Sequence, residues 1–271
     1  MDATNVLVAF ALTAIAGLST GIGSLMALLA KRTSKRFLSV ALGFSAGVMI
    51  YVSMIEIFPE ARMSIAHELG EYAGTWITIA SFFAGMILIA LIDKHVPDVE
   101  NPHEPRQLET IPDFHTISES KRLMKTGLLT VFVIMLHNFP EGMATFAAAL
   151  KSPQLGVAIA VAIAIHNIPE GIAASFPIYY ATDNKKKAFG LSFLSGLSEP
   201  LGALIGYIIL FRYMNDIVFG ILFGLIAGIM VFISLDELLP TAREYGEPHL
   251  SIYGMIGGMM LMAVSLVLFI S

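Results

Sequence analysis

Eight stretches of this chain are long and apolar enough to cross a bilayer, and that leaves few folds open to it. They cover roughly residues 5–30, 37–58, 74–92, 126–150, 154–181, 188–211, 215–240 and 250–270. A spanning helix needs about 20 mostly apolar residues. Lipid offers backbone N–H and C=O groups no water, so each segment must close its hydrogen bonds internally, as a helix does. The 14% content of charged residues agrees; a soluble domain carries about 25%. The expected fold is an all-α polytopic membrane protein forming one domain over residues 1–271. The chain begins Met1-Asp2-Ala3-Thr4 without a basic segment, so the first stretch reads as an uncleaved span. No cysteine is present, which excludes disulfides and thiolate ligands.

Basic residues set the orientation. With the loop after span 1 in the cytoplasm, that side holds Lys31, Arg32, Lys35, Arg36, Lys94, Arg106, Lys121, Arg122, Lys125, Lys185, Lys186, Lys187 and Arg243. The other side holds Arg62, Lys151 and Arg212, which completes the 16 Lys and Arg. The excess follows the positive-inside rule and places both termini outside the cytoplasm, in a multi-pass cell (inner) membrane protein. The longest loop, residues 93–122, is rich in Pro and acids and contains His95, His103 and His115. It reads as polar and mostly disordered, with its histidines too scattered for a metal site.

The chain also repeats itself. Gly43-Phe44-Ser45-Ala46-Gly47-Val48-Met49 in span 2 matches Gly224-Leu225-Ile226-Ala227-Gly228-Ile229-Met230 in span 7. The match continues at one offset through Ser53/Ser234, Glu56/Glu237, Pro59/Pro240 and Arg62/Arg243. Span 1 resembles span 6 in the same way, except that Glu199-Pro200 stands where span 1 has Thr20-Gly21. Spans 2 and 7 run in opposite senses under this topology, so the repeat is inverted. The plan is 3+2+3: residues 1–92 form the first triplet, the 93–122 loop follows, 123–181 are a central pair, and 182–271 form the second triplet. Inverted repeats with a midplane site mark secondary transporters.

The central pair carries one hexapeptide twice: His137-Asn138-Phe139-Pro140-Glu141-Gly142 and His166-Asn167-Ile168-Pro169-Glu170-Gly171. Ionisable groups inside a span are costly and mark ion pathways. On a helix, His and Glu at i and i+4 share a face, with Asn three residues before the Glu. Each copy therefore gathers an imidazole, an amide oxygen and a carboxylate, donors suited to a divalent transition metal. Pro140 and Pro169 free the carbonyls of Leu136 and Ile165. The carboxylates of Glu141 and Glu170 can bridge two cations, and Glu199 adds a third negative charge. The bland reading, structural hydrogen bonding by a lone polar residue, fits poorly with a motif that occurs twice. Met49 is first a packing residue and second a sulfur ligand. Glu56 and Glu237, near the ends of spans 2 and 7, suit pairing with Arg62 or Arg243, with a gate as the other reading. No G-x-x-x-x-G-K-[ST] is present to bind a nucleotide, and the charge pattern points to no nucleic acid.

Together the paired HNxPEG segments, the 3+2+3 plan and Glu199 resemble the ZIP (Zrt-/Irt-like protein) family of divalent metal transporters, over essentially the whole chain. The resemblance implies secondary uptake toward the cytoplasm, with zinc, iron, cadmium, manganese or cobalt as cargo and no enzymatic cofactor. It also implies a two-metal site at mid-membrane. The first metal would take His137, Glu141 and Glu170, with His166 beside them. The second would take Asn138, Asn167 and Glu199, sharing Glu141 and Glu170. Met49 matches a position where a relative supplies sulfur. Alternating access would move spans 1, 4, 5 and 6 against 2, 3, 7 and 8, and a homodimer is a possible assembly. The rival functions are an intramembrane metalloenzyme, disfavoured by the lack of H-E-x-x-H, and a metal exporter.

Overall fold

The computed structural model describes residues 3–29, 35–94, 117–210, 213, 215–245 and 248–269. Among them there is no strand, and eleven α-helices follow in order. They are α1 (Ala3–Leu29), α2 (Lys35–Val52), α3 (Phe58–Leu69), α4 (Glu71–Lys94), α5 (Ile117–Lys151), α6 (Pro153–Thr182), α7 (Lys185–Gly196), α8 (Ser198–Leu210), α9 (Asp216–Ile233), α10 (Leu239–Tyr245) and α11 (Pro248–Phe269). The protein is thus all-α and polytopic. Among the described residues seven segments have the length and hydropathy to cross a membrane, and the eighth apolar stretch, 126–150, lies within α5.

Four elements differ from the sequence reading. The second and seventh spans run further, because a π-turn joins α2 to α3 at Ser53–Ile57 and α9 to α10 at Ser234–Leu238. Each precedes a proline, Pro59 or Pro240, which has no N–H for the carbonyl four residues back. The wider i→i+5 closure takes up that defect, with the Phe58 N–H on the Ser53 carbonyl and the Leu239 N–H on that of Ser234. Ser53 and Ser234 also donate back to the carbonyls of Met49 and Met230, at 2.6 and 2.7 Å. The sixth span breaks at Leu197 into α7 and α8, so Glu199 stands in the first turn of α8. The 93–122 loop is shorter than expected, since α4 continues to Lys94 and α5 starts at Ile117. His95, His103 and His115 lie outside the described residues.

Helices α2, α6 and α9 form the interior, through Leu42, Ala46, Met49, Ile159, Ile163, Phe223, Ile226 and Met230. Helices α1, α4 and α11 turn apolar side chains outward, among them Ile15, Ile22, Trp76, Phe83, Met260 and Val264. Such a surface suits lipid. Small residues allow the close crossings. Helix α11 lies along α2 in the same sense, with Gly43 against Ser251 and Gly47 against Met255. Helix α1 runs antiparallel to α7, with Gly17 against Gly196 and Gly21 against Phe193. Lys185 ties the far end of this pair by donating to the Leu28 carbonyl at 2.6 Å, one of the carbonyls a helix C-terminus leaves unpaired.

Candidate metal centre

Helices α5 and α6 place the two hexapeptides face to face, and each histidine meets the other copy's glutamate. His137 Nε2 lies 3.0 Å from Glu170 Oε2, and His166 Nε2 lies 3.3 Å from Glu141 Oε2. All four side chains are buried, as are Asn138, Asn167 and Glu199. Both prolines sit inside continuous helices.

The surroundings come in matched pairs. A Cβ on Gly142 would strike the backbone of Glu199, and one on Gly171 that of Thr20. Asn138 donates to the Ser195 carbonyl at 3.4 Å, and Asn167 to the Ala16 carbonyl at 3.0 Å. Gly202 lies against Phe139, and Gly23 against Ile168. Thr20 and Glu199, Ala16 and Ser195, and Gly23 and Gly202 are the positions that correspond between spans 1 and 6. The pairing fails at one point: Asn167 also donates to Glu199 Oε1, whereas the hydroxyl of Thr20 is buried without a partner.

His166 Nδ1 sits 3.1 Å from the Ala162 carbonyl, which can only accept, so Nδ1 carries the proton. Nε2 of the neutral ring is then an acceptor, and it faces a carboxylate oxygen. Two lone pairs can converge only on a proton or a metal. Asn138 Oδ1, Glu141 Oε1, Asn167 Oδ1, Glu199 Oε2 and His137 Nδ1 are all buried with no hydrogen-bond partner. Buried acceptors are costly unless satisfied. Among the described residues no Lys or Arg pairs with Glu141, Glu170 or Glu199. Imidazole nitrogens with amide and carboxylate oxygens fit zinc and its first-row neighbours.

The profile of the ZIP zinc transporter family matches residues 3–266. This chain belongs to the ZIP family. It is similar over nearly its whole length to proteins named zinc transporter ZupT. That of Clostridium perfringens is 60% identical, covering 98% of this chain and 97% of its own length. The Streptococcus mutans relative is 59% identical, with 97% of each chain covered. The Nitratidesulfovibrio vulgaris relative is 57% identical over 100% of both. ZIP proteins are transporters rather than enzymes, and the metal is their cargo.

The seven residues of the two hexapeptides and Glu199 singled out in the sequence all meet here. Met49 is buried one turn beyond Ser45 on the same face of α2. Glu237 is buried on the second π-turn. Glu56 lies on the first π-turn. Sequence reasoning missed Ser45, whose hydroxyl lies 3.3 Å from both Glu170 Oε1 and the His166 carbonyl. The signal was present: Ser45 stands opposite Ile226 in the repeat, a polar break like that of Glu199 opposite Thr20.

Proposed function

We propose that this protein imports divalent transition metal, zinc first, into the cytoplasm through the centre between α5 and α6. The observation that carries this reading is the set of buried oxygens without partners, Asn138 Oδ1, Glu141 Oε1, Asn167 Oδ1 and Glu199 Oε2, beside two imidazoles. Three carboxylates enclosed without a protein cation repel one another until an ion or protons enter. A site whose charge is balanced by its cargo holds the metal when closed and releases it when water is admitted. The names of the ZupT relatives support zinc. Iron, cadmium, manganese and cobalt fit the same donors.

The centre is binuclear in this proposal. Glu141 and Glu170 bridge a metal held by His137 and His166 and a second held by Asn138, Asn167 and Glu199, with Met49 at its edge. The matched contacts around Thr20 and Glu199, and the π-turns at corresponding positions of spans 2 and 7, support an inverted 3+2+3 repeat. Such a repeat lets the block of spans 1, 4, 5 and 6 rock against spans 2, 3, 7 and 8 and open the centre to one side at a time. Both termini are extracytoplasmic. Proteoliposomes with an imposed zinc gradient test the proposal. Inward, saturable uptake that the other metals inhibit is expected. Uptake lost after removal of either bridging glutamate would agree, and uptake indifferent to both would refute it. A cysteine introduced near residue 3 tests orientation, since an impermeant maleimide should label it on intact cells.

A further inference from the structure

A second group of metal-binding side chains lies at the end of the bundle that holds Lys151, far from both hexapeptides in sequence. His67 and Glu68 close α3, and Asp216 opens α9. The junction is fixed by packing: a Cβ on Gly220, one turn along α9, would meet Ile65 and the Ala61 carbonyl of α3. That contact holds Asp216 opposite His67. His67 Nδ1 lies 3.5 Å from Glu68 Oε1 and 3.6 Å from Asp216 Oδ2. One ligand atom from each residue falls within 4.8 Å of the others. Ligands about 2.1 Å from a tetrahedral metal stand roughly 3.4 Å apart, so a small inward movement closes this triad on zinc. The separations are long for hydrogen bonds, so no strong bond has to break first.

Asp216 has a second partner. Its Oδ1 lies 3.8 Å from Lys151 Nζ, and Lys151 also pairs with Glu60 at 2.8 Å, donates to Ser64 and stands 4.4 Å from the centre of the Phe219 ring. Lys151 and His67 therefore face different oxygens of one carboxylate.

We propose that His67, Glu68 and Asp216 form a second divalent-metal site, at the mouth of the protein, which concentrates cargo before it enters the membrane. Binding by the triad stands on this geometry alone; its service as a capture site rests on the importer reading above. Lys151 weakens the site by competing for Asp216, which keeps it loose enough to pass metal on. A tight surface site would hold its ion.

Equilibrium dialysis of the purified full-length protein against zinc, with bound metal counted by elemental analysis, tests this. His67→Ala should bind one equivalent fewer than the parent, and Asp216→Asn should lose the same equivalent. Lys151→Gln should tighten it by about two- to fivefold, the worth of a surface ion pair. His67 is exposed and the change should not disturb folding; a circular dichroism spectrum matching the parent's confirms that. Glu141→Ala examines the other centre, since it should lose internal metal and keep the outer equivalent, so the two readings fail separately. If His67→Ala binds as many equivalents as the parent, the site does not exist. A loss in Asp216→Asn without one in His67→Ala would also overturn it, by showing that Asp216 acts only through Lys151.

Discussion

Two clusters in this molecule use the same side chains, histidine and carboxylate, and balance their charge in opposite ways. At the mouth, Glu60 and Asp216 face Lys151, a basic side chain of the protein itself. At the centre, Glu141, Glu170 and Glu199 face only imidazoles, a serine and an asparagine. The mouth is part-exposed, so solvent shares in screening its charges, whereas the centre is buried. Unpaired charge is tolerable in the first place and costly in the second. Under the proposed function, the difference separates a transport centre from a looser outer site: at the centre the protein supplies, among the described residues, no Lys or Arg as counter-ion. In the proposed function the cargo is then part of the charge balance, and its departure is balanced by protons on the carboxylates or offset by their hydration.

The largest expected effect comes from the two glutamates proposed as bridges. Glu141→Ala or Glu170→Ala should abolish zinc uptake, with the protein still inserted at matched levels, because each carboxylate would serve both metals. Full uptake in either variant would break the contrast, since the centre would then not depend on cargo for its balance. Protons sharpen the same point. A proton on His166 Nε2 satisfies the lone pair that a metal would take, so zinc affinity of the parent should fall as pH falls. An affinity constant across acid and neutral pH in a metal-binding titration would exclude the histidines as ligands.

A smaller effect is expected from Glu199→Gln. This residue belongs to one metal alone in the two-metal proposal, so bound zinc should drop by one equivalent while residual uptake persists through His137, Glu141 and Glu170. Elemental analysis of the purified variant decides it, and a parental stoichiometry would make Glu199 a packing residue. Glu199 was legible in the sequence because it interrupts a repeat. The hexapeptides were legible because ionisable groups in apolar runs are rare, and their spacing assigns them one helical face. The cross-pairing of His137 with Glu170 and His166 with Glu141 was not legible, because it depends on how α5 and α6 cross. The π-turns were hidden too: Pro59 and Pro240 announce a defect, but i→i+5 closure is only one way to accommodate it. His67 and Glu68 lie on a different span from Asp216, and the packing of α3 on α9, close at Gly220, brings them together.

Ser45→Ala should act more weakly. Its hydroxyl makes two long contacts, at 3.3 Å, to Glu170 and to the His166 carbonyl. A hydrogen bond contributes about 0.5–1.5 kcal/mol net, so zinc affinity should fall by about tenfold or less. A total loss would mean that Ser45 itself touches metal.

The smallest effect belongs to the mouth's periphery. Arg62 Nη1 pairs with Glu71 Oε2 at 3.2 Å, with side-chain exposures of 43% and 78%. Pairs so open to solvent are worth about 0.2–1 kcal/mol and weaken further in salt. Arg62→Ala should therefore lower the melting temperature by no more than about 4 °C, with the deficit shrinking at high ionic strength and zinc uptake unchanged. Arg62 corresponds to Arg243 in the repeat, and both stand just beyond a π-turn and its proline. If charge at the mouth only needs a neighbour and solvent, removing one such neighbour leaves the centre's balance alone. A collapse of uptake in Arg62→Ala, at normal expression and melting temperature, would couple the two clusters electrostatically. The centre would then be borrowing its missing counter-ion from the surface, and the contrast between them would be one of distance rather than of kind.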